Sequence, residues 1–341
     1  LEFHKRFIYM FSGTLANLGV AIPAALILRN AWALVFGLLA GNFVQMAVSY
    51  LIHPYRPRMW LDGPKVKELY AFGKWILGSK ILVFFLNQGD DIFVGKLLGA
   101  TMLGFYQMAY RLSNLPATEI THVTSQVTFP AYSKLQDRLP QLREAYLRTL
   151  RVIAFLSFPL AGGIAFLAPD FTHIFLGEKW MPMVPAMQIL AIWGLSRSIA
   201  ATTGPLFSGM GKPWISTWLQ LAKLILIAGF IYPFTTLWGI VGTASAITAS
   251  ALLIDPICLY IAARLLRSRA WDIMKTFLIP IIGTLVMLFC MTSLSKILEA
   301  KTLAIFVGYI ALGCSAYVLT IGVFDRSFIK HIWFSTGPRG S

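Results

Sequence analysis

GDDIFVGKLLGATMLGFYQMAYRLSNLP, residues 89–116, is mostly apolar, yet it holds two adjacent aspartates, a lysine and an arginine. The solvent this stretch faces decides the fold, and composition identifies that solvent. The 341 residues are 57% hydrophobic and only 13% charged, with a mean hydropathy of +0.70. A soluble chain of this length would carry roughly 25% charged residues to clothe its surface. The sequence therefore reads as an all-α, polytopic membrane protein. In a bilayer each of those charges costs at least about 2.5 kcal/mol near the centre, so each needs a reason.

A spanning helix needs about 20 predominantly apolar residues. That window places about ten transmembrane helices, near 8–28, 32–53, 70–97, 101–128, 146–166, 182–208, 214–233, 238–263, 271–293 and 302–324. The quoted stretch joins the third to the fourth. Connections are short and marked by Pro and Gly, as in HPYRPR at 53–58, GMGKP at 209–213 and YPFTTLWG at 232–239. The longest polar stretch, 132–148, reads as a short amphipathic helix at the membrane surface that continues into the next span. No soluble catalytic domain fits between the spans.

The net charge of +15 is mostly topology. If residue 1 is cytoplasmic, eighteen Lys and Arg fall in cytoplasmic segments, against Arg29, Lys179, Lys296 and Lys301 outside. Both ends of the chain are then cytoplasmic, and nucleic acid is not needed to explain the basicity. Seven more basic residues lie within or at the ends of spans. Lys74, Lys96 and Arg151 are close enough to span ends to snorkel. Arg111, Arg197 and Lys223 are too deep for that, which points to a water-filled interior.

Periodicity supports the same interior. Gln107, Arg111, Asn114, Thr118, Thr121 and Ser125 recur at steps of four and three, which puts them on one helical face. Lys80, Asn87 and Asp91 share a face of the third span, Asn42, Gln45 and Ser49 of the second, and Ser216, Gln220 and Lys223 of the seventh. Among the acids, Asp91 is the cavity candidate, and Asp90 is expected to anchor a neighbouring helix by a hydrogen bond or an ion pair with Arg111. Asp91, Asp90 and Asp255 are the candidate ion-coupling groups. Gly239, Gly242, Ala246 and Ala249 form a small-residue face for close packing. The histidines lack metal-ligand spacing, no phosphate-binding loop occurs, and Cys258, Cys290 and Cys314 read as small core fillers, so no cofactor or metal is expected.

The order Asp90, Gly95, Leu98, Gly99, Leu103, Gly104, Tyr106, Ala109, Tyr110, Arg111 and Pro116 resembles the bacterial polysaccharide flippases of the multidrug/oligosaccharidyl-lipid/polysaccharide superfamily. FPAYSKLQD at 129–137, the long run at 158–195 and GPLFSGMGKP at 204–213 extend the likeness over nearly the whole chain. The resemblance implies fourteen helices, as two six-helix lobes around a cavity followed by an extra pair. Residues 1–63 would be the last two helices of the first lobe with a cytoplasmic linker, 64–266 the second lobe, and 267–341 the extra pair with a cytoplasmic tail. Four helices would then precede residue 1.

What the resemblance implies for function is transport without covalent chemistry, hence no enzyme. The substrate would be an undecaprenyl-pyrophosphate-linked oligosaccharide, flipped across the bacterial inner membrane by alternating access alongside glycosyltransferase and polymerase partners. Arg111, Arg197, Lys223 and Lys80 would neutralise its phosphates, with Gln107, Asn114, Asn87 and Gln220 as polar lining. Removing any one of Arg111, Arg197 or Lys223 should then weaken export and leave expression largely intact. A cation-coupled multidrug exporter would favour acids over bases in its cavity, and a membrane-embedded glycan polymerase or ligase would need an outward loop longer than 167–181.

Overall fold

The computed structural model describes residues 3–52, 63–296, 298 and 302–324. Among them, regular structure is helical throughout: α1 (Phe3–Leu28), α2 (Trp32–Ile52), α3 (Gly63–Leu98), α4 (Ala100–Lys134), α5 (Leu139–Phe171), α6 (Val184–Ala200), α7 (Thr203–Gly209), α8 (Pro213–Leu265), α9 (Ala270–Ser295) and α10 (Leu303–Phe324). Seven of the described stretches are long and apolar enough to cross a membrane. The helices α3 and α4, with 36 and 35 residues, have the length, but they carry the intramembrane charges that dilute their apolarity. Ten crossings is thus an approximate count for a multi-pass membrane protein. Large apolar side chains cover the outside, Phe289 at 72% and Leu319 at 68% exposure among them, as expected where lipid replaces water as the solvent.

One element differs from its expected form. The sequence predicts a connection over 232–239, and the structure narrows it to a turn at Gly239 with helix on both sides, within the 53 residues Pro213–Leu265. A straight helix of that length would extend about 80 Å, more than twice the hydrocarbon core. The chain instead reverses at Gly239 (φ 58°, ψ −136°), a left-handed position that suits a residue without a Cβ. Its two limbs, residues 213–238 and 240–265, lie close enough for Lys223 to reach Asp255. Next to the tip, Gly242 has no room for a side chain, because a Cβ would overlap the Phe234 carbonyl.

The chain forms two compact units, Leu1–Trp75 and Ile76–Ser341. In the first, α1 packs along α2, where Gly37 and Gly41 of α2 meet Ala21, Asn17 and the Gly13 carbonyl of α1. Gln45, expected on a polar stripe, fills the space over Gly13. Small residues permit the close approach that van der Waals packing between membrane helices requires.

In the second unit α6 is central, in contact with α4, α5 and α8. Its buried residues include Ala186, Ala191, Gly194, Ser196 and Ser198, and Gly194 lies against Ser113, Asn114 and Ala117 of α4. The amphipathic segment opens α5, burying Leu142 and Tyr146 while Arg143 and Arg148 stay exposed. Beyond α5, the expected outward loop winds as a π turn over Thr172–Leu176 and a 3-10 turn over Glu178–Met183. The pair α9–α10 packs on α5, with Met287, Met291, Tyr309 and Tyr317 as its buried centre.

Candidate functional site

Two adjoining cavities lined by charged and polar groups, the second also by many apolar ones, lie within the second unit. The first, of about 370 Å³, opens between α3 and α4 and is lined by Asn87, Gln88, Asp91, Gln107, Tyr110 and Arg111. Gly99 (φ 85°) turns the chain between those helices, so the two run antiparallel and their polar stripes face each other. Gln107 donates its side-chain amide to Asp91 Oδ2 at 3.0 Å, holding the carboxylate at the cavity edge.

The second cavity, of about 360 Å³, is walled by α3, α4, α6, α7 and α8. Arg197 and Lys223 line it, with Trp193, Ser216, Gln220 and Asp255 around them. The Arg197 guanidinium sits 5.4 Å from the Trp193 ring centroid, a stacked geometry that orients a cation without neutralising it. Lys223 is different, because its Nζ donates to Asp255 Oδ1 at 3.0 Å and Oδ2 at 3.2 Å. Ser196 Oγ donates to the same Oδ2 at 2.5 Å. The pair is only slightly exposed, 20% for the lysine side chain and 10% for the aspartate, so each charge depends on the other. Asn87 and Tyr110 belong to both linings, which makes the cavities neighbours.

The residues singled out from sequence fall into three groups. Arg111, Asn87, Gln107 and Asp91 gather in the first cavity, and Arg197, Lys223, Gln220 and Asp255 in the second. Asn114 lines neither. It is 2% exposed, donating to the Tyr110 carbonyl at 3.1 Å beside Gly194, whose missing side chain leaves room for the amide at the α4–α6 contact. The side chain of Lys80 lies outside the described residues.

Asp90 is buried in the wall of the second cavity, and its partner is the Tyr106 hydroxyl at 2.7 Å, not Arg111. Arg111 lies five positions further along α4 than Tyr106, on the lining of the other cavity. Sequence reasoning missed Tyr106, Ser196 and Trp193. Tyr106 was visible in the family pattern but carried no charge to draw attention to it.

The chemistry on offer is recognition. Cations, carboxamides and aromatic faces converge on space open to water, and among the described residues no cluster of His, Cys, Asp or Glu could hold a metal ion. Such an arrangement can hold an anion and hydrogen-bond a polyol.

Comparison with known proteins agrees with the geometry. A family model described as "Polysaccharide biosynthesis protein" matches residues 1–185. An uncharacterized membrane protein in the cps region of Klebsiella pneumoniae is 28% identical over 92% of this chain and 65% of its own length. Lipopolysaccharide biosynthesis protein WzxC of Escherichia coli K12 is 27% identical over 75% and 51%, and teichuronic acid biosynthesis protein TuaB of Bacillus subtilis 28% over 66% and 47%. The chain thus spans about half to two thirds of the length of these relatives. Among solved structures, the lipid II flippase MurJ in an inward closed conformation superposes with a TM-score of 0.72 at 17% identity, covering 94% of this chain and 68% of that one. With its family model matched over more than half of the sequence and its fold shared with a flippase, the chain belongs to the polysaccharide biosynthesis protein family.

Proposed function

We propose that the protein moves a lipid-linked oligosaccharide across the bacterial inner membrane, the lipid being undecaprenyl pyrophosphate, by alternating access around the second cavity. The observation that carries this reading is a guanidinium deep in a water-accessible cavity, Arg197, with no carboxylate within ion-pair distance among the described residues. A pyrophosphate with attached sugars cannot cross hydrocarbon unaided, and an uncompensated cation in a polar cavity is what would stabilise it on the way. The names of the relatives, in lipopolysaccharide, teichuronic acid and succinoglycan biosynthesis, and the MurJ fold support the same substrate class.

On this reading no bond is made or broken, and glycosyltransferases and a polymerase act before and after transport. The excess of Lys and Arg on the residue-1 side sets both ends of the chain in the cytoplasm. The second cavity favours a glycolipid over a cationic drug, because its Asp255 is held by Lys223 while its Arg197 has no ion-pair partner among the described residues.

Export of surface glycan by cells carrying full-length Arg197→Gln tests the proposal. Transport should fall at least about tenfold, the loss expected when a charge-assisted contact to phosphate is removed, with membrane expression retained. Wild-type export from that variant would overturn the role of Arg197.

A further inference from the structure

We propose that the two cavities divide a single ligand: the α3–α4 cavity is a saccharide subsite for an uncharged hexose, and the Arg197 cavity holds the diphosphate next to it. This rests on the transport reading above and specifies how its substrate lies.

The linings differ in the proportion of hydrogen-bonding groups. The α3–α4 cavity presents three carboxamides, Asn87, Gln88 and Gln107, together with the Asp91 carboxylate and the Tyr110 ring. A planar amide offers a donor and an acceptor on one edge, and a carboxylate two acceptors, the geometry that two neighbouring ring hydroxyls require. The Tyr110 ring supplies an apolar face for the C–H side of a sugar. Asp91 is an acceptor only when ionised, so it welcomes hydroxyl donors and repels a phosphate. Arg111 in the same lining offsets that charge, leaving the cavity formally neutral. Its volume of about 370 Å³ is at the small end of the ~300–1,000 Å³ typical of small-molecule sites, which suits one sugar ring better than a chain of them.

The Arg197 cavity also holds two carboxamides, Asn87 and Gln220, and two carboxylates, Asp90 and Asp255, but sets them in a more apolar wall that includes Leu86, Leu219, Ile227, Ile247 and Ile254. Of its two cations Lys223 is held by Asp255, and Arg197 is left to meet an anion. The order along the membrane normal also fits. Asp91 and Gln107 are each eight residues from Gly99, about 12 Å of helix, near the α3–α4 tip. Lys223 and Asp255 are each ten residues from the ends of α8 at Pro213 and Leu265, about 15 Å from the opposite side. The shared residues Asn87 and Tyr110 lie where the glycosidic linkage between sugar and phosphate would fall.

Binding of two probes to the full-length protein in lipid nanodiscs tests the division: a short polyprenyl diphosphate, and the same lipid carrying one neutral hexose. Gln107→Ala, at an exposed position, should weaken the hexose-bearing probe about three- to tenfold, the loss of one hydrogen bond, and leave the sugar-free probe within about twofold. Asp91→Asn, which keeps the side-chain shape, should act in the same selective way. Arg197→Gln should weaken both probes alike. If Gln107→Ala and Asp91→Asn weaken both probes equally, or neither, the saccharide subsite is wrong while the transport reading stands. If wild-type protein binds neither probe, the transport reading fails and the division with it.

Discussion

The helical hairpin α3–α4 and the hairpin made by the two limbs of α8 are built alike and clasped differently. Each turns on a glycine with positive φ, Gly99 at 85° and Gly239 at 58°. In each, the polar partners stand at matching distances from that glycine. Asp91 and Gln107 are both eight positions from Gly99. Thr235 and Thr243 are both four positions from Gly239, and Lys223 and Asp255 both sixteen. Antiparallel helices with equal rise per residue bring equidistant positions to the same height, so the turn glycine sets which side chains can meet. The first hairpin is joined by hydrogen bonds from neutral donors to its two aspartates, Tyr106 to Asp90 and Gln107 to Asp91. The second is joined by an ion pair.

The difference teaches where a charge is available for a ligand. An aspartate satisfied by a hydroxyl leaves nearby cations unspent, and Arg197 remains open to solvent-borne groups. An aspartate satisfied by an ammonium uses up that ammonium. Lys223 therefore serves the hairpin in this conformation, and its removal should be felt in folding before function. That reverses the expectation that expression would survive its loss.

The largest effect should come from breaking the ionic clasp. Lys223→Met removes one partner of a pair that is mostly buried and leaves Asp255 charged with, among the described residues, only Ser196 as side-chain donor. Breaking such a pair costs about 3–5 kcal/mol, read as a lower melting temperature in detergent and reduced membrane yield. Adding Asp255→Leu to Lys223→Met should recover most of that stability, because replacing both charges with apolar groups is close to neutral. A single variant as stable as wild type would show that the pair contributes no clasp.

A smaller effect should follow from breaking the neutral clasp. Tyr106→Phe keeps the ring in its buried place and deletes the only side-chain donor to Asp90 among the described hydrogen bonds. An unsatisfied buried acceptor costs about 1–3 kcal/mol. The same unfolding measurement should thus rank Tyr106→Phe above Lys223→Met in stability; the opposite order would overturn the comparison.

Much of this was legible in the sequence, and the limits have physical causes. Apolar run lengths located the helices because a bilayer imposes one length on every crossing. Helical periodicity placed Asn87 with Asp91, and Gln107 with Arg111, because positions three or four apart share a face whatever the tertiary structure. Contacts between helices were less accessible. Charge alone pointed Asp90 towards Arg111, although Tyr106 stands nearer the height that Gly99 dictates. The pair Lys223–Asp255 went unseen because YPFTTLWG looked like a connection of several residues, and the register about a turn is clear only once the single turning residue is known. Asn114 belongs to the cavity by its stripe, and only the proximity of Gly194 on another helix draws it inward.

The smallest effect concerns the turn itself. If the glycines set the register, substituting one should cost backbone strain without altering which residues meet. At Gly99 a Cβ would touch nothing within 4 Å, so only the positive φ opposes a side chain. Holding an alanine at φ 85°, ψ 173°, a region essentially reserved for glycine, costs about 1–3 kcal/mol. Gly99→Ala should therefore lower the melting temperature less than Lys223→Met does, and it should preserve the Asp91–Gln107 contact. Disulfide formation between cysteines at those two positions reports the register directly. Paired cysteines at 91 and 107 should crosslink with equal efficiency whether or not the chain also carries Gly99→Ala. Loss of that crosslink in the Gly99→Ala background, or its transfer to a pair displaced by one residue such as 91 and 108, would mean that the glycine sets the partners through its particular backbone angles and not only through its position in the chain.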